Sequence, residues 1–196
     1  MIAIRAMARK LDPEPEHAFQ VCRYALRLFD ALQELHGYGP REREVFEASA
    51  LLHDTGHARD MWRHHKHARD IIMEQELPGF SAEEHRMVAC VARYHRKAFP
   101  KPTHKVYAEL TPASREIVTR LAAILRIADG LDRGHMAATR NVSVSIGKRK
   151  VRLLVDQRRP NETDIWGARR KRDLFESCFG RALVIDAETS SARENA

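Results

Sequence analysis

Residues 51–57, Leu-Leu-His-Asp-Thr-Gly-His, place two adjacent metal-type ligands at the end of an apolar helical run. His53 and Asp54 offer an imidazole nitrogen and a carboxylate oxygen to one cation, a pairing suited to Fe, Mn, Co, Ni or Zn. Gly56 then allows the backbone to leave the helix in a turn. A His-Asp dipeptide often arises by chance. The pair is therefore evidence for a metal site only if other His and Asp residues lie on apolar helix faces, where an unpaired charge or imidazole is costly.

Three further residues of this type lie on the apolar stripes of predicted helices. His17 lies one turn before Val21, His95 lies one turn beyond the apolar stripe of its helix, and Asp129 does the same in a later helix. Each has a plainer interpretation: a core histidine bonded to a carbonyl, or an aspartate that reaches solvent beside Gly130. Two inward histidines on separate helices are harder to dismiss than one, and a carboxylate on a buried stripe requires a cation.

A cluster of histidines follows the His-Asp pair. Five of the eleven histidines fall within fifteen residues, at His53, His57, His64, His65 and His67. Residues 56–66 lack a clean apolar period, and we interpret them as a loop at the mouth of a pocket. The plainer alternative is a solvated basic surface loop.

The apolar periods predict a mainly α protein, a helical bundle followed by a small C-terminal β-β-α-β appendage. Residues 1–15 are interpreted as a short helix or arm. Helices are predicted over 17–35, 41–52 and 67–76, with two more starting at a Ser81 capping box and at Thr111-Pro112. A hairpin from residue 141, a helix over 165–179 and a strand over 182–186 follow. The predicted units are a helical metal-binding domain, an α+β appendage and a disordered tail, at 1–140, 141–188 and 189–196.

Composition restricts the partners and the compartment. The 196 residues carry a formal net charge of +7 and a sequence pI near 9.6, which favours polyanionic partners. Absence of an RNA-binding aromatic motif or zinc finger argues against nucleic acid and favours phosphate-rich small molecules. No apolar run approaches the roughly 18 residues of a membrane span. Arg5 interrupts any signal-peptide core, so a cytoplasmic protein is expected, and the three scattered cysteines are interpreted as reduced.

The order of these residues resembles the H…HD…D motif of the HD superfamily of metal-dependent phosphohydrolases. The resemblance implies one or two divalent transition metals (Fe, Mn, Zn, Co or Ni). Its first-metal ligands would be His17, His53, Asp54 and Asp129. Members with two metals add histidines, which His64 and His95 match here. The choice between His64 and His65 stays open because the loop register is not readable from the sequence.

Longer motifs narrow the resemblance. The segments 64–67, 77–80, 93–97, 127–132 and 169–175 look like the C-terminal half of the exopolyphosphatase/guanosine pentaphosphate phosphatase (Ppx/GppA) family, up to about residue 186. In that family the phosphatase chemistry belongs to an actin-like N-terminal half that has no counterpart in these 196 residues. The resemblance also implies dimerisation through the appendage. Because the full ligand set is kept, metal binding is expected.

The leading functional prediction is a metal-dependent phosphohydrolase that acts on a nucleotide, dinucleoside polyphosphate, alarmone or polyphosphate. Asp54, His57 and His65 are the candidate catalytic residues. Basic residues around the mouth would neutralise phosphates, namely Lys66, Arg93, Arg96, Lys97 and Arg133. The alternative is a non-catalytic regulatory module that binds polyphosphate, nucleotide or a partner carrying the missing phosphatase half.

Overall fold

The computed structural model describes residues 1–189, which form a helical bundle followed by a small sheet. The helices are α1 (Ile2–Leu11), α2 (Pro15–Ala31), α3 (Gln33–His36), α4 (Pro40–Leu52), α5 (His64–Glu74), α6 (Ala82–Tyr94), α7 (Lys105–Ala108), α8 (Pro112–Gly130), α9 (Glu162–Arg170) and α10 (Asp173–Phe179), with a 3₁₀ turn at Thr55–Ala58. The strands are β1 (Thr139–Ile146), β2 (Lys150–Gln157) and β3 (Ala182–Thr189). The predicted mainly α fold is confirmed.

The bundle forms around α8, which packs against α2, α6, α9 and α10. Its apolar stripe is completely buried at Leu121, Ile124 and Leu125, in a core that also contains Tyr24 of α2 and Val88 of α6. Burying a Leu or Ile side chain contributes about 1.5–3 kcal/mol, so this stripe is a large share of what holds the helices together. In residues 1–189 no helix is both long enough and apolar enough to traverse a lipid bilayer.

The starts of α6 and α8 follow the capping signals in the sequence, whereas other helix boundaries differ from prediction. Ser81 and Glu84 form the predicted capping box, and Thr111 accepts from the Ser114 amide at 3.2 Å at the start of α8. The helix predicted over 17–35 breaks at Leu32, where α3 begins as a separate turn.

The predicted loop over residues 56–66 is wrong at its last three residues, because His64 already begins α5. Polar histidines hid the periodicity in this run, but His64, His65, Ala68 and Ile72 form one buried side of the helix.

The C-terminal sheet has the order β1-β2-β3, with β1 antiparallel and β3 parallel to β2. A parallel neighbour requires a crossover connection, and α9 and α10 supply it. The single helix predicted over 165–179 is therefore wrong: it is two helices separated by Lys171 and Arg172. Thr189, the first residue of the predicted disordered tail, ends β3, and residues 190–196 lie outside the described residues.

Two glycines let α9 touch α8 at the level of the backbone. A Cβ on Gly130 would lie 2.5 Å from the Cα of Ala168, and a Cβ on Gly167 would lie 2.8 Å from the carbonyl oxygen of Gly130. Real Cβ atoms do not approach backbone so closely, so both positions require glycine. This contact fixes α9 beside Asp129 at the end of α8.

Candidate functional site

The end of α4 brings the His-Asp pair into the interior. Leu51 and Leu52 are completely buried, which drives the last turn of α4 into the bundle, and His53 and Asp54 follow directly. Gly56 then packs so closely on α5 that a Cβ there would lie 2.0 Å from the carbonyl oxygen of His64. The glycine therefore allows the histidines of α5 to reach Asp54.

Three histidines present the same ring nitrogen to the interior. His53, His64 and His95 each donate Nδ1–H to the carbonyl three residues earlier, at 2.8, 2.8 and 2.7 Å. A carbonyl only accepts, so each Nδ1 carries the proton and each Nε2 of a neutral ring carries a lone pair. Yet the Nε2 atoms of His64 and His95 lie 3.3 Å apart. Two lone pairs facing each other at this distance repel unless a cation lies between them.

The carboxylate of Asp54 lies at the centre of these rings. Its Oδ1 is 3.3 Å from His64 Nε2 and 3.5 Å from His95 Nε2. Its Oδ2 is 3.4 Å from His53 Nε2 and 3.6 Å from His17 Nε2. The two oxygens of one carboxylate thus face two different sets of imidazole nitrogens.

Asp129 and His17 complete the second of these sets. Asp129 Oδ1 lies 3.6 Å from His17 Nε2, and its other oxygen accepts from the Lys171 ammonium. His17 donates Nδ1–H to Asp132 at 2.8 Å, the carboxylate–histidine arrangement that orients many metal ligands. Burial alone would lower the pKa of His17, but hydrogen bonds to Asp129 and Asp132 outweigh it and raise the pKa to about 10.

The pKa values of Asp54, His64 and His95 are also shifted by their surroundings. Burial raises the pKa of Asp54, but the neighbouring His53 and His95 outweigh it, so this pKa lies below its usual range. Burial lowers the pKa of His64 to about 4 and lowers that of His95 well below its ordinary value. An ionised carboxylate beside neutral imidazoles is the donor set that a transition metal requires.

Unpartnered polar atoms also indicate that the site fits a cation. Among the residues the structure describes, His53 Nε2, Asp54 Oδ1 and His57 Nε2 are buried without a hydrogen-bond partner. Such atoms are rare in folded proteins. Metal–ligand bonds of about 2.0–2.2 Å place neighbouring ligand atoms roughly 3–3.5 Å apart. The separations around Asp54, 3.3–3.6 Å, are close to this range.

Together these residues form what we call the His-Asp cluster. Its members are His17, His53, Asp54, His64, His95 and Asp129. These residues form three overlapping groups, and within each group the ligand atoms lie within 4.8 Å of one another. The third group also includes His57. All six residues named as ligands from the sequence are therefore brought together.

The structure separates the remaining sequence candidates into two groups. His57 lies at the edge of the His-Asp cluster, with Nε2 4.0 Å from Asp54 Oδ1 and its side chain 23% exposed. His65 is buried, and its ring centroid lies 6.0 Å from that of His64. Burial and the nearby Arg96 charge lower its pKa to about 3. Between the two histidines left open by the sequence, His64 is the one that faces the carboxylate.

A cavity of about 430 Å³ opens onto the His-Asp cluster, a size typical of small-molecule sites. Of the predicted phosphate-binding residues, Arg96, Lys97 and Arg133 line it, whereas Lys66 and Arg93 do not. Arg93 is instead buried over the ring of Tyr94.

Six basic side chains line the cavity, and we call them the cationic wall. They are Arg96, Lys97, Arg126, Arg133, Arg170 and Lys171. The last two come from the basic run at residues 169–172, and Trp166 of α9 lies beside them. The sequence did not indicate Arg126 or Trp166 as parts of the site. Arg170 and Lys171 belong to a basic run that favoured binding of polyphosphate, but the sequence did not place this run at the cavity.

His135 is a second feature that the sequence did not reveal. Its ring stacks on His17 with a centroid distance of 3.9 Å and an interplanar angle of 2°. Its Nδ1 donates to Glu14 at 2.8 Å, and its φ of 52° is unusual for a residue other than glycine. His135 therefore holds the outer face of a His-Asp cluster member at some backbone strain.

Two comparisons relate the chain to known proteins. Residues 1–165 match the family described as Ppx/GppA phosphatase, domain III. Over 84 residues the chain is 33% identical to a protein of Pseudoalteromonas translucida (strain TAC 125) named guanosine-5'-triphosphate,3'-diphosphate pyrophosphatase. That alignment covers 43% of this chain and 16% of the relative, so the chain matches only a small part of the relative's length.

Proposed function

This chain belongs to the Ppx/GppA phosphatase, domain III family, and from that premise we propose that it is a metal-dependent phosphohydrolase of the HD type. Its substrate would be a nucleotide, dinucleoside polyphosphate, alarmone or polyphosphate. The observation that carries the proposal is the pair of opposed Nε2 lone pairs, His64 and His95, at 3.3 Å beside the ionised Asp54. The cationic wall on the same cavity supports a substrate rich in phosphate.

The His-Asp cluster would hold one or two divalent transition metals. Asp54 would contribute ligand atoms to two sets of residues. Its Oδ2 would act with His17, His53 and Asp129, and its Oδ1 with His64 and His95. A bound divalent ion lowers the pKa of a ligated water and stabilises negative charge on phosphate oxygens. Asp132 would orient His17, and His135 would hold the outer face of its ring.

The cationic wall would bind and orient the substrate. Arg96 lies over His64, with its NH1 atom 3.0 Å from Nε2, and Lys97 donates to the Trp62 carbonyl at 3.0 Å. These two side chains are therefore held close to the His-Asp cluster. Because guanidinium groups grip phosphate oxygens in a bidentate way, Arg96 would neutralise the phosphate that is cleaved.

The test is metal content and phosphate release for wild type and His53→Ala. Wild type is expected to hold about one or two transition-metal ions per chain and to release phosphate from at least one nucleotide or polyphosphate. His53→Ala should lose both while its helical circular dichroism stays near wild type. His67→Gln is the matched control, because His67 belongs to the same histidine run but pairs with Asp60 and lies outside the cavity lining.

Two results would overturn the proposal. Turnover that is unchanged in His53→Ala would separate the chemistry from the His-Asp cluster. Alternatively, the protein could bind polyphosphate after its metal is chelated and hydrolyse no substrate with any metal. That result would favour the non-catalytic binding module, an alternative that the six cations of the cationic wall support.

A further inference from the structure

Trp166 occupies an unusual position at the edge of the cavity. It is 48% exposed, although large aromatic side chains are usually covered. Two guanidinium groups lie over its ring: the Cζ of Arg170 is 4.8 Å and the Cζ of Arg133 is 5.4 Å from the ring centroid. All three side chains line the cavity. The tryptophan is therefore a platform that holds two arginines at the mouth.

The backbone contact between α8 and α9 fixes this platform. Trp166 immediately precedes Gly167, whose close approach to Gly130 admits no side chain. Arg170 follows Trp166 by four residues and so lies on the same face of α9. Lys171 follows and pairs with Asp129 of the His-Asp cluster. The helix that carries Trp166 and Arg170 is thus packed directly against the helix that carries Asp129.

Neither of these two arginines has a carboxylate partner in the part of the chain that the structure describes. Elsewhere on the cationic wall, Lys171 pairs with Asp129 and Arg126 lies 3.4 Å from Asp173. Within residues 1–189, by contrast, neither Arg133 nor Arg170 forms an ion pair with a carboxylate. Two stacked, unpaired guanidinium groups that line a cavity are suited to bind an anion.

We propose that Arg133, Trp166 and Arg170 form an anion subsite for a linear oligophosphate. This subsite would bind the phosphates that lie beyond the one at the His-Asp cluster, and in this respect it rests on the proposed function. It makes the chain selective for substrates with several linked phosphates over orthophosphate. Arg133 and Arg170 supply the charge, and Trp166 is a positioning residue that orients them.

The test is calorimetric binding of inorganic tripolyphosphate and orthophosphate to the full chain in excess EDTA. Removing metal isolates the contribution of the side chains. Wild type should bind tripolyphosphate at least about tenfold more tightly than orthophosphate, and Arg170→Gln should remove about tenfold of the tripolyphosphate affinity, as expected for one charge-assisted contact. Arg172→Gln is the matched control: it removes the same charge two residues away, at an exposed position outside the cavity lining.

The role of Trp166 has its own pair of variants. Trp166→Leu should weaken tripolyphosphate binding about threefold to tenfold because the guanidinium groups lose their platform, and Trp166→Phe should restore most of it. A nucleoside triphosphate tested in parallel separates the two sources of this chemistry. If Trp166→Leu weakens binding of both ligands equally, the subsite contacts only phosphates. If it weakens binding of the nucleotide more, the tryptophan contacts the nucleoside, and its purely positioning role would be overturned.

Equal tripolyphosphate affinities for wild type, Arg170→Gln and Arg172→Gln would overturn the subsite, as would a wild type that does not prefer tripolyphosphate. These failures are distinct from failure of the proposed function. If metal-loaded wild type releases phosphate from a substrate while Arg170→Gln binds tripolyphosphate normally, the proposed hydrolase stands and the subsite is refuted. If wild type hydrolyses no substrate but Arg170→Gln binds tripolyphosphate more weakly than wild type, the subsite stands and the proposed hydrolase is refuted.

Discussion

The His-Asp cluster and the cationic wall share one cavity but are built differently. In the His-Asp cluster, His53, His64 and His95 are nearly completely buried, and backbone carbonyls fix their rings. In the cationic wall, Arg133 and Arg170 are exposed and are oriented by a tryptophan ring. A cation needs ligand atoms placed within tenths of an ångström, whereas a phosphate chain tolerates mobile charges. Substitutions should therefore act nearly all-or-none in the first region and gradually in the second.

The largest effect is expected from Asp54→Asn in the His-Asp cluster. The substitution keeps the shape but removes the negative charge that faces imidazoles on both sides. Metal affinity, measured by competition with a chromophoric chelator, should fall at least about a hundredfold, because the two oxygens of this one carboxylate face both sets of imidazole nitrogens in the His-Asp cluster. Tripolyphosphate binding in EDTA should not weaken. Loss of anion binding together with metal binding would show that the two regions are not separable.

A substitution at the junction of the two regions should act on stability and on anion binding. Gly167→Ala places a Cβ 2.8 Å from the Gly130 carbonyl oxygen and should reduce the free energy of unfolding by about 1–3 kcal/mol in urea titrations. Because α9 shifts, tripolyphosphate affinity should fall more than metal affinity. Gly39→Ala is the control: its nearest contact would be 3.6 Å away, at a flexible glutamate, so stability should change by about 0.5 kcal/mol or less.

A moderate effect is expected where a carboxylate supports a ligand without joining the His-Asp cluster. Asp132→Asn weakens the partner of His17 Nδ1, which lies at 2.8 Å. Metal affinity should fall about tenfold, the usual size for a residue that orients a metal-bound histidine. An unchanged affinity, with wild-type stability, would mean that the position of His17 does not depend on Asp132.

The smallest effect is expected from a substitution outside the cavity, at Glu84, which should change stability but not binding. A bidentate contact from Arg41 outweighs desolvation and lowers the pKa of Glu84 from 4.5 to about 2. A depressed carboxyl pKa contributes stability above pH 4.5 that is lost as the pH falls towards 2. Glu84→Gln should therefore destabilise the fold by about 1 kcal/mol at pH 7, after allowing for solvent screening, and by less at pH 3. Metal and anion binding should not change at pH 7. An equal destabilisation at both pH values would contradict the pairing.

The same contrast explains how much of the site could be predicted. His17, His95 and Asp129 were found because each interrupts an apolar helical stripe, where a polar residue needs a partner. Lys171 pairs with Asp129 across 42 positions in sequence, and no local pattern announces such a contact. Trp166 was missed because its function depends on where α9 packs. Buried polar residues are conspicuous in a sequence, whereas exposed basic residues look alike until the fold places them.

Helix boundaries show a related limit. The capping box at Ser81 and the proline start of α8 were predicted correctly because a few adjacent residues determine them. The start of α5 at His64 was missed because its first turn is polar, and its buried side depends on Asp54 and its neighbours. Local chemistry sets helix ends, but tertiary contacts decide which polar residues are inside.

The most direct test of the account is X-ray absorption spectroscopy at the edge of the metal bound by wild-type protein. The account predicts nitrogen and oxygen ligands at about 2.0–2.2 Å, with outer-shell scattering from several imidazoles and no sulfur. In His95→Ala the imidazole contribution should fall while that of the His67→Gln control should not. A metal surrounded only by oxygen ligands, or an imidazole signal unchanged in His95→Ala, would contradict the central claim that the His-Asp cluster is a metal centre.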